Sequence, residues 1–169
     1  AAAAVGLLLG ETPELIAQGL VSYQASGMRQ NIYEQDGYQI YADCYNASPD
    51  AMEATLSVLG GMAGEGRRFA VLGSMLELGD YAEEGHRRAG RAAAQYADAL
   101  YAYGPDAAAM VAGAREKGME HAYAFDDQTA LVAALREDAK KGDALLFKGS
   151  RGMRMERALA MFLGEEVEA

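Results

Sequence analysis

Three short stretches hold most of the side chains that could do chemistry: "DCYNASPD" at residues 43–50, "GSMLELGD" at 73–80 and "KGSRGMR" at 148–154. Asp43 ends an apolar run, where a short, rigid carboxylate can accept from paired hydroxyls such as those of a ribose. Tyr45 and Asn46 follow as a flat ring and an amide suited to a nucleotide. In the third stretch Lys148 is a mobile point charge, Arg151 a planar fork and Ser150 an orienting hydroxyl, together an anion clamp. Gly149 and Gly152 would let backbone approach the ligand. Each cluster also has a structural reading. The first could be an Asx-type turn with its Tyr over the next helix, the third a flexed loop whose basic groups offset nearby acids. Composition leaves both readings open.

The remaining candidates are weaker. Cys44 has no His near it in sequence, and no triad is evident. His86 and His121 lie far apart and only one Cys exists, so a His-Cys zinc site is not expected. His86 is expected on a helix surface or behind a site, and His121 in a structural role. "LELGDYAEE" lacks calcium-loop spacing and reads as a loop and helix start. No GxxxxGK[ST] match occurs, so the usual device for holding a β,γ-phosphate is not expected in these residues.

The elements that must position these clusters follow from periodicity. Ala1 to Leu9 and Thr12 to Leu20 read as short helices, the second capped by Thr12 with Pro13 at its first position. Arg29 to Glu34 and Tyr38 to Asp43 read as strands joined by a turn at Gln35, Asp36 and Gly37. Ser48 caps a helix that runs to Ala63. Strands near positions 69, 99, 121 and 144 then alternate with segments of helix length, the pattern of a parallel sheet with helices on both faces. The fold class expected is therefore α/β, a Rossmann-like, mostly parallel sheet preceded by a fragment of another α/β domain. The hairpin is out of phase with the alternating units, which predicts a boundary near Asp43 to Ser48.

Fifteen Lys and Arg against 25 Asp and Glu give a formal charge of −10, which disfavours nucleic acid or an anionic membrane as partner. The apolar start "AAAAVGLLLG" is too short to span a bilayer, and no other transmembrane candidate appears. Lacking an initiator Met, the sequence is expected to be a mature or excised piece. The single Cys fits a reducing, cytoplasmic setting.

Taken together and in order, the clusters resemble the Mur ligases of bacterial cell-wall (peptidoglycan) synthesis. The family's Asp-Ser-Tyr-Asn-Ala-Asn-Pro-Asp-Ser-Met stretch stands here as "DCYNASPDAM". Its Val-Leu-Gly-Asp-Met-x-Glu-Leu-Gly stands as "VLGSMLELG", with His86 following, and its Lys-Gly-Ser-Arg-Gly-Met-Arg is unchanged at 148–154. The resemblance implies a three-domain, ATP-dependent, amide-forming ligase, with residues 1–42 the tail of the central ATPase domain and 43–169 the C-terminal domain. Its nearest branch adds D-alanyl-D-alanine to the UDP-N-acetylmuramoyl-tripeptide through an acyl phosphate. The alternatives are a family member using another amino acid, or a noncatalytic nucleotide-binding module.

By the same likeness ATP and Mg2+ are the cofactors, bound mainly by N-terminal and central domains that precede Ala1, and the piece alone is expected to be inactive. Arg29, Asp43, Tyr45 and Asn46 would face the nucleotide, with Met28 inserted beside Arg29 relative to the family's Gly-Arg pair. Lys148, Ser150 and Arg151 would face the acceptor dipeptide or the peptidyl substrate. No catalytic residue and no metal ligand is carried over onto this chain. Cys44, Ser48 and Ser74 depart from the family's Ser, Asn and Asp. Ser48 keeps the helix cap, whereas a role resting on the Asp at 74 does not transfer.

Overall fold

The computed structural model describes residues 1–22, 29–62 and 64–165, so Met28 and Ala63 lie outside the described residues. Helices α1 (Ala2–Leu8) and α2 (Pro13–Val21) come first, and the Thr12 hydroxyl accepts from Leu15 N–H at 3.3 Å as the cap. Neither helix buries a residue. Strands β1 (Asn31–Gln35) and β2 (Tyr38–Asp43) then form a hairpin. Its turn is the Asp36-Gly37 pair, with φ of 53° and 87°, the doubly positive geometry that suits strand twist. Gln35 belongs to the ladder opposite Tyr38, one residue tighter than expected.

Next come α3 (Pro49–Gly60), β3 (Arg68–Gly73), a 3-10 turn at Gly79–Tyr81 and α4 (Ala82–Tyr96). They are followed by β4 (Ala99–Tyr103), α5 (Ala107–Glu116), β5 (Ala122–Phe125) and α6 (Gln128–Asp138). The chain closes with β6 (Ala144–Lys148), a 3-10 turn at Arg151–Met153 and α7 (Met155–Leu163). Ser48 caps α3 as expected, its hydroxyl accepting from Ala51 N–H at 3.3 Å, with Pro49 at the first helical position.

The strands form a single six-stranded sheet in the order β1-β2-β6-β3-β4-β5, parallel except for the β1 edge. The hairpin, expected to be the end of a preceding sheet, is therefore part of the same sheet as the alternating units. The hairpin does not belong to a separate preceding sheet, because β2 pairs in parallel with β6 from Gln39↔Ala144 to Asp43↔Lys148. The reason lies in β2 itself. Ile40, Tyr41, Ala42 and Asp43 are all buried, the unbroken run of a strand covered on both faces and not the alternation of a half-exposed hairpin.

Two apolar layers sandwich the sheet. Helices α3, α4 and α5 cover one face, where Met52, Leu56, Leu59 and Met110 meet Ala70, Leu72, Leu100 and Leu146. Helices α6 and α7 cover the other, where Leu131, Leu135, Leu159 and Phe162 meet Ile40, Phe69, Val71 and Phe147. Each such side chain contributes about 1.5–3 kcal/mol by leaving water, so this burial, not surface charge, sets the architecture. At the opposite sheet end Arg68 forks onto Asp98, and that hydrogen bond holds the Asp98 carboxyl below its usual range.

Helices α4 and α5 meet almost backbone to backbone. A Cβ on Gly90 would lie 1.9 Å from the Met110 carbonyl oxygen. Helix propensity alone favours Gly90→Ala by about 1 kcal/mol. A backbone clash of this size costs more, by about 2 kcal/mol or above. Urea unfolding should therefore show Gly90→Ala to be destabilising, and a stabilised variant would contradict the close approach.

Candidate functional site

Strands β2, β6 and β3 are adjacent and parallel, so their carboxyl ends bring the three polar clusters side by side. The chain leaves β3 toward α4 on one face and β6 toward α7 on the other. In open α/β sheets such a divergence opens a crevice at the strand ends where ligands bind.

At its centre Lys148 Nζ donates to Asp43 Oδ2 at 2.5 Å and to the Asn46 carbonyl at 2.8 Å. Both charges are largely out of water, the Lys148 side chain 2% and the Asp43 side chain 10% exposed. The second Asp43 oxygen accepts from Gln30 N–H at 3.2 Å. Gln30 reaches it with φ of 48°, a left-handed conformation that also delays the start of β1 from Arg29 to Asn31. Asn46 Oδ1 accepts from Ala47 N–H at 2.8 Å. Half-exposed Tyr45 carries the Arg29 guanidinium over its ring, 3.7 Å from the centroid, as a flat cationic platform. Arg29, Asp43, Tyr45, Asn46 and Lys148 together line a cavity of about 450 Å³. The first cluster is thus a turn and a concave polar surface at once.

The basic stretch does not converge as one clamp. Lys148 belongs to the Asp43 side, Ser150 is buried, and Arg151 is exposed and paired with Glu156 at 2.8 Å. Ser150 Oγ accepts from Leu76 N–H at 2.9 Å, and its N–H donates to Ser74 O at 3.3 Å. This ties the ends of β6 and β3 together while leaving the Ser150 hydroxyl a proton to donate.

Ser74 is fully buried. Its Oγ accepts from Asp106 N–H at 3.0 Å and donates to Tyr103 O at 3.4 Å, so it joins the end of β3 to that of β4. His86 is likewise fully buried, so of its two expected places, on a helix surface or behind a site, the first is excluded. Its Nε2 accepts from Met75 N–H at 2.8 Å and its Nδ1–H donates to Ala82 O at 2.6 Å. With Nε2 already an acceptor, the Asp106 carboxylate 3.7 Å away forms no ion pair with it. His86 holds the loop after β3 in the shape that presents Leu76 N–H to Ser150. His121 is exposed, its ring nitrogen 3.2 Å from Tyr123 Oη.

Sequence reasoning missed Gln30 and Glu156. A backbone donor in left-handed conformation has no side-chain signature. Glu156 lies in the first turn of α7, where acid residues are common, and only the fold shows Arg151 reaching it.

The family model "Mur ligase, glutamate ligase domain" matches residues 28–151. The chain belongs to the Mur ligase family. It is 37% identical over 159 residues to the UDP-N-acetylmuramoyl-tripeptide–D-alanyl-D-alanine ligase of Bacillus subtilis, covering 92% of this chain and 35% of that protein. The Escherichia coli enzyme of the same name is 34% identical over 163 residues, covering 94% and 34%. Among solved structures, the MurF ligase of Thermotoga maritima in complex with ADP superposes with a TM-score of 0.81 at 33% identity, over 96% of this chain and 36% of that one. MurF of Acinetobacter baumannii gives 0.83 at 29%, over 96% and 35%. The chain thus resembles the C-terminal portion of these ligases and spans about a third of the length of the curated relatives it matches. No helix among the described residues is long and apolar enough to cross a membrane.

Cys44 lies directly beneath this site, its thiol donating to Phe147 O at 3.3 Å. Burial, reinforced by the Glu156 and Asp43 carboxylates, pushes it up to about 12. An unfolded thiol ionises near 8.5, so the native thiol stays protonated where the unfolded one reacts. Iodoacetamide at pH 9 should therefore modify Cys44 at least about 100-fold more slowly in native than in urea-unfolded chain. Similar rates would refute its burial as an inert thiol.

Proposed function

We propose that this chain forms one wall of the catalytic cleft of an ATP-dependent ligase that joins D-alanyl-D-alanine to the UDP-N-acetylmuramoyl-tripeptide in the cytoplasm. The observation that carries the reading is the meeting of three family motifs at the adjacent ends of β2, β6 and β3, beside a cavity of nucleoside size that the first motif and Lys148 line. Residues 1–22, whose helices bury nothing, fit the tail of a preceding ATPase domain. The rest is the C-terminal domain, beginning at the hairpin instead of after it.

The residues present fit the nucleoside half of ATP. The Arg29–Tyr45 platform offers a stacking surface, and Asp43, braced from both sides, offers carboxylate lone pairs to ribose hydroxyls. ATP supplies the phosphoryl group that activates the tripeptide carboxylate. Among the described residues no group of three or more His, Cys, Asp or Glu could hold a metal ion.

The acceptor end of the cleft is assigned to the 148–154 loop. Arg151 is 63% exposed and paired with Glu156. A surface pair of that kind contributes about 0–1 kcal/mol, so the guanidinium is free to take a substrate carboxylate instead. The Ser150 hydroxyl proton stands beside it as a second donor. Charge accumulates on phosphoryl oxygens and then on a tetrahedral carbon, which favours fixed donors and closure by the preceding domains.

The test is a phosphate-release and product assay on the intact enzyme carrying this chain. With ATP, the UDP-tripeptide and D-alanyl-D-alanine it should form the pentapeptide, and this chain alone should form none. Product only with single amino acids would favour another branch of the family, and no product with any acceptor would refute the ligase reading. In the same assay Arg151→Ala should lower kcat/KM for the dipeptide at least about 10-fold, while unfolding stability changes by less than about 1 kcal/mol.

A further inference from the structure

We infer that Lys148 is a positioning residue for the nucleotide side of the cleft and not a ligand for the acceptor substrate. The inference rests on the ligase reading above and deepens it by dividing "KGSRGMR" between the two ends of the site.

The geometry carries it. Lys148 is the last residue of β6 and stands opposite Asp43, the last residue of β2, in the parallel ladder. Its ammonium bridges the Asp43 carboxylate at 2.5 Å and the Asn46 carbonyl at 2.8 Å. One side chain therefore fixes both ends of the Asp43-Cys44-Tyr45-Asn46 segment as the chain turns toward α3. Gln30 N–H holds the other Asp43 oxygen at 3.2 Å, so the plane of the carboxylate is set from two sides.

Reach and charge exclude the alternative use. With the Lys148 side chain only 2% exposed, turning its ammonium to a substrate anion would break both hydrogen bonds and leave a buried carboxylate uncompensated. Arg151, three residues on and 63% exposed, lies under no such constraint. The acceptor's charge thus falls to Arg151, while Lys148 acts on the nucleotide only through Asp43 and Asn46.

The experiment compares Lys148→Met, Asp43→Asn and the double variant in the intact ligase, measuring KM for ATP and for D-alanyl-D-alanine separately. Wild-type ligation of the dipeptide is the control. Its absence overturns the ligase reading itself, whereas its presence isolates the claim about Lys148. Lys148→Met should raise KM for ATP at least about 10-fold and leave KM for the dipeptide within about 2-fold. The double variant should raise KM for ATP by less than the product of the two single effects, since part of what Lys148→Met disturbs is the Asp43 carboxylate that Asp43→Asn has already removed. It also removes the two charges together, so it gives a folded protein to measure if Lys148→Met alone does not fold. A rise in dipeptide KM with ATP KM unchanged, or effects of the two substitutions that multiply, would overturn the inference.

Discussion

The buried pair between Asp43 and Lys148 is the interaction on which the site depends. A carboxylate and an ammonium removed from water are tolerable only when each finds the other in good geometry and the remaining lone pairs and protons find donors and acceptors. Here Gln30 N–H meets the other Asp43 oxygen and the Asn46 carbonyl takes a second ammonium proton. That requirement fixes three things at once: the register of β2 against β6, the conformation of the turn into α3, and the left-handed residue before β1. The pair is weak grounds for overall stability, which comes from the two apolar layers. Its physical effect is to make one arrangement of the strand ends far better than its neighbours.

From this centre the linkage runs outward through buried hydroxyls and an imidazole. Ser150 joins β6 to the loop after β3, Ser74 joins that loop to β4, and His86 braces it from α4. The groups left facing outward include Arg29, Tyr45, Asn46 and Arg151. A rigid inner set and an adaptable outer set is the arrangement a cleft needs if it must hold a nucleoside in one orientation yet close over a second substrate. The many surface ion pairs of α4, such as Arg87 with Glu83 and Glu116, lie elsewhere and need no role in the chemistry.

Much of this was legible in the residues. The Pro13 and Pro49 helix starts, the Ser48 cap and the alternation of strands and helices from Arg68 onward follow from local rules that the tertiary structure does not oppose. The placement of β2 was not legible. A five- or six-residue run with an Asp-Gly turn before it reads as a hairpin whether or not its far edge meets a strand a hundred residues later. For the same cause the partner of Lys148 was not legible. Sequence neighbours at a strand end point to different destinations, and only the ladder shows that Lys148 faces Asp43. His86 read as either a helix-surface residue or one behind a site, and composition does not choose between the two. Its burial follows from the Met75 N–H it satisfies, a demand that belongs to the backbone and leaves no mark in composition.

The central claim is that the Asp43–Lys148 pair holds the three strand ends in place, and a double-mutant unfolding cycle on this chain tests it most directly. Asp43→Asn and Lys148→Met should each destabilise by about 3–5 kcal/mol, because each leaves a buried partner uncompensated. The double variant should recover a large part of that loss, giving a coupling of at least about 2 kcal/mol. A coupling below about 0.5 kcal/mol would mean that the two groups do not depend on one another, and would contradict the account.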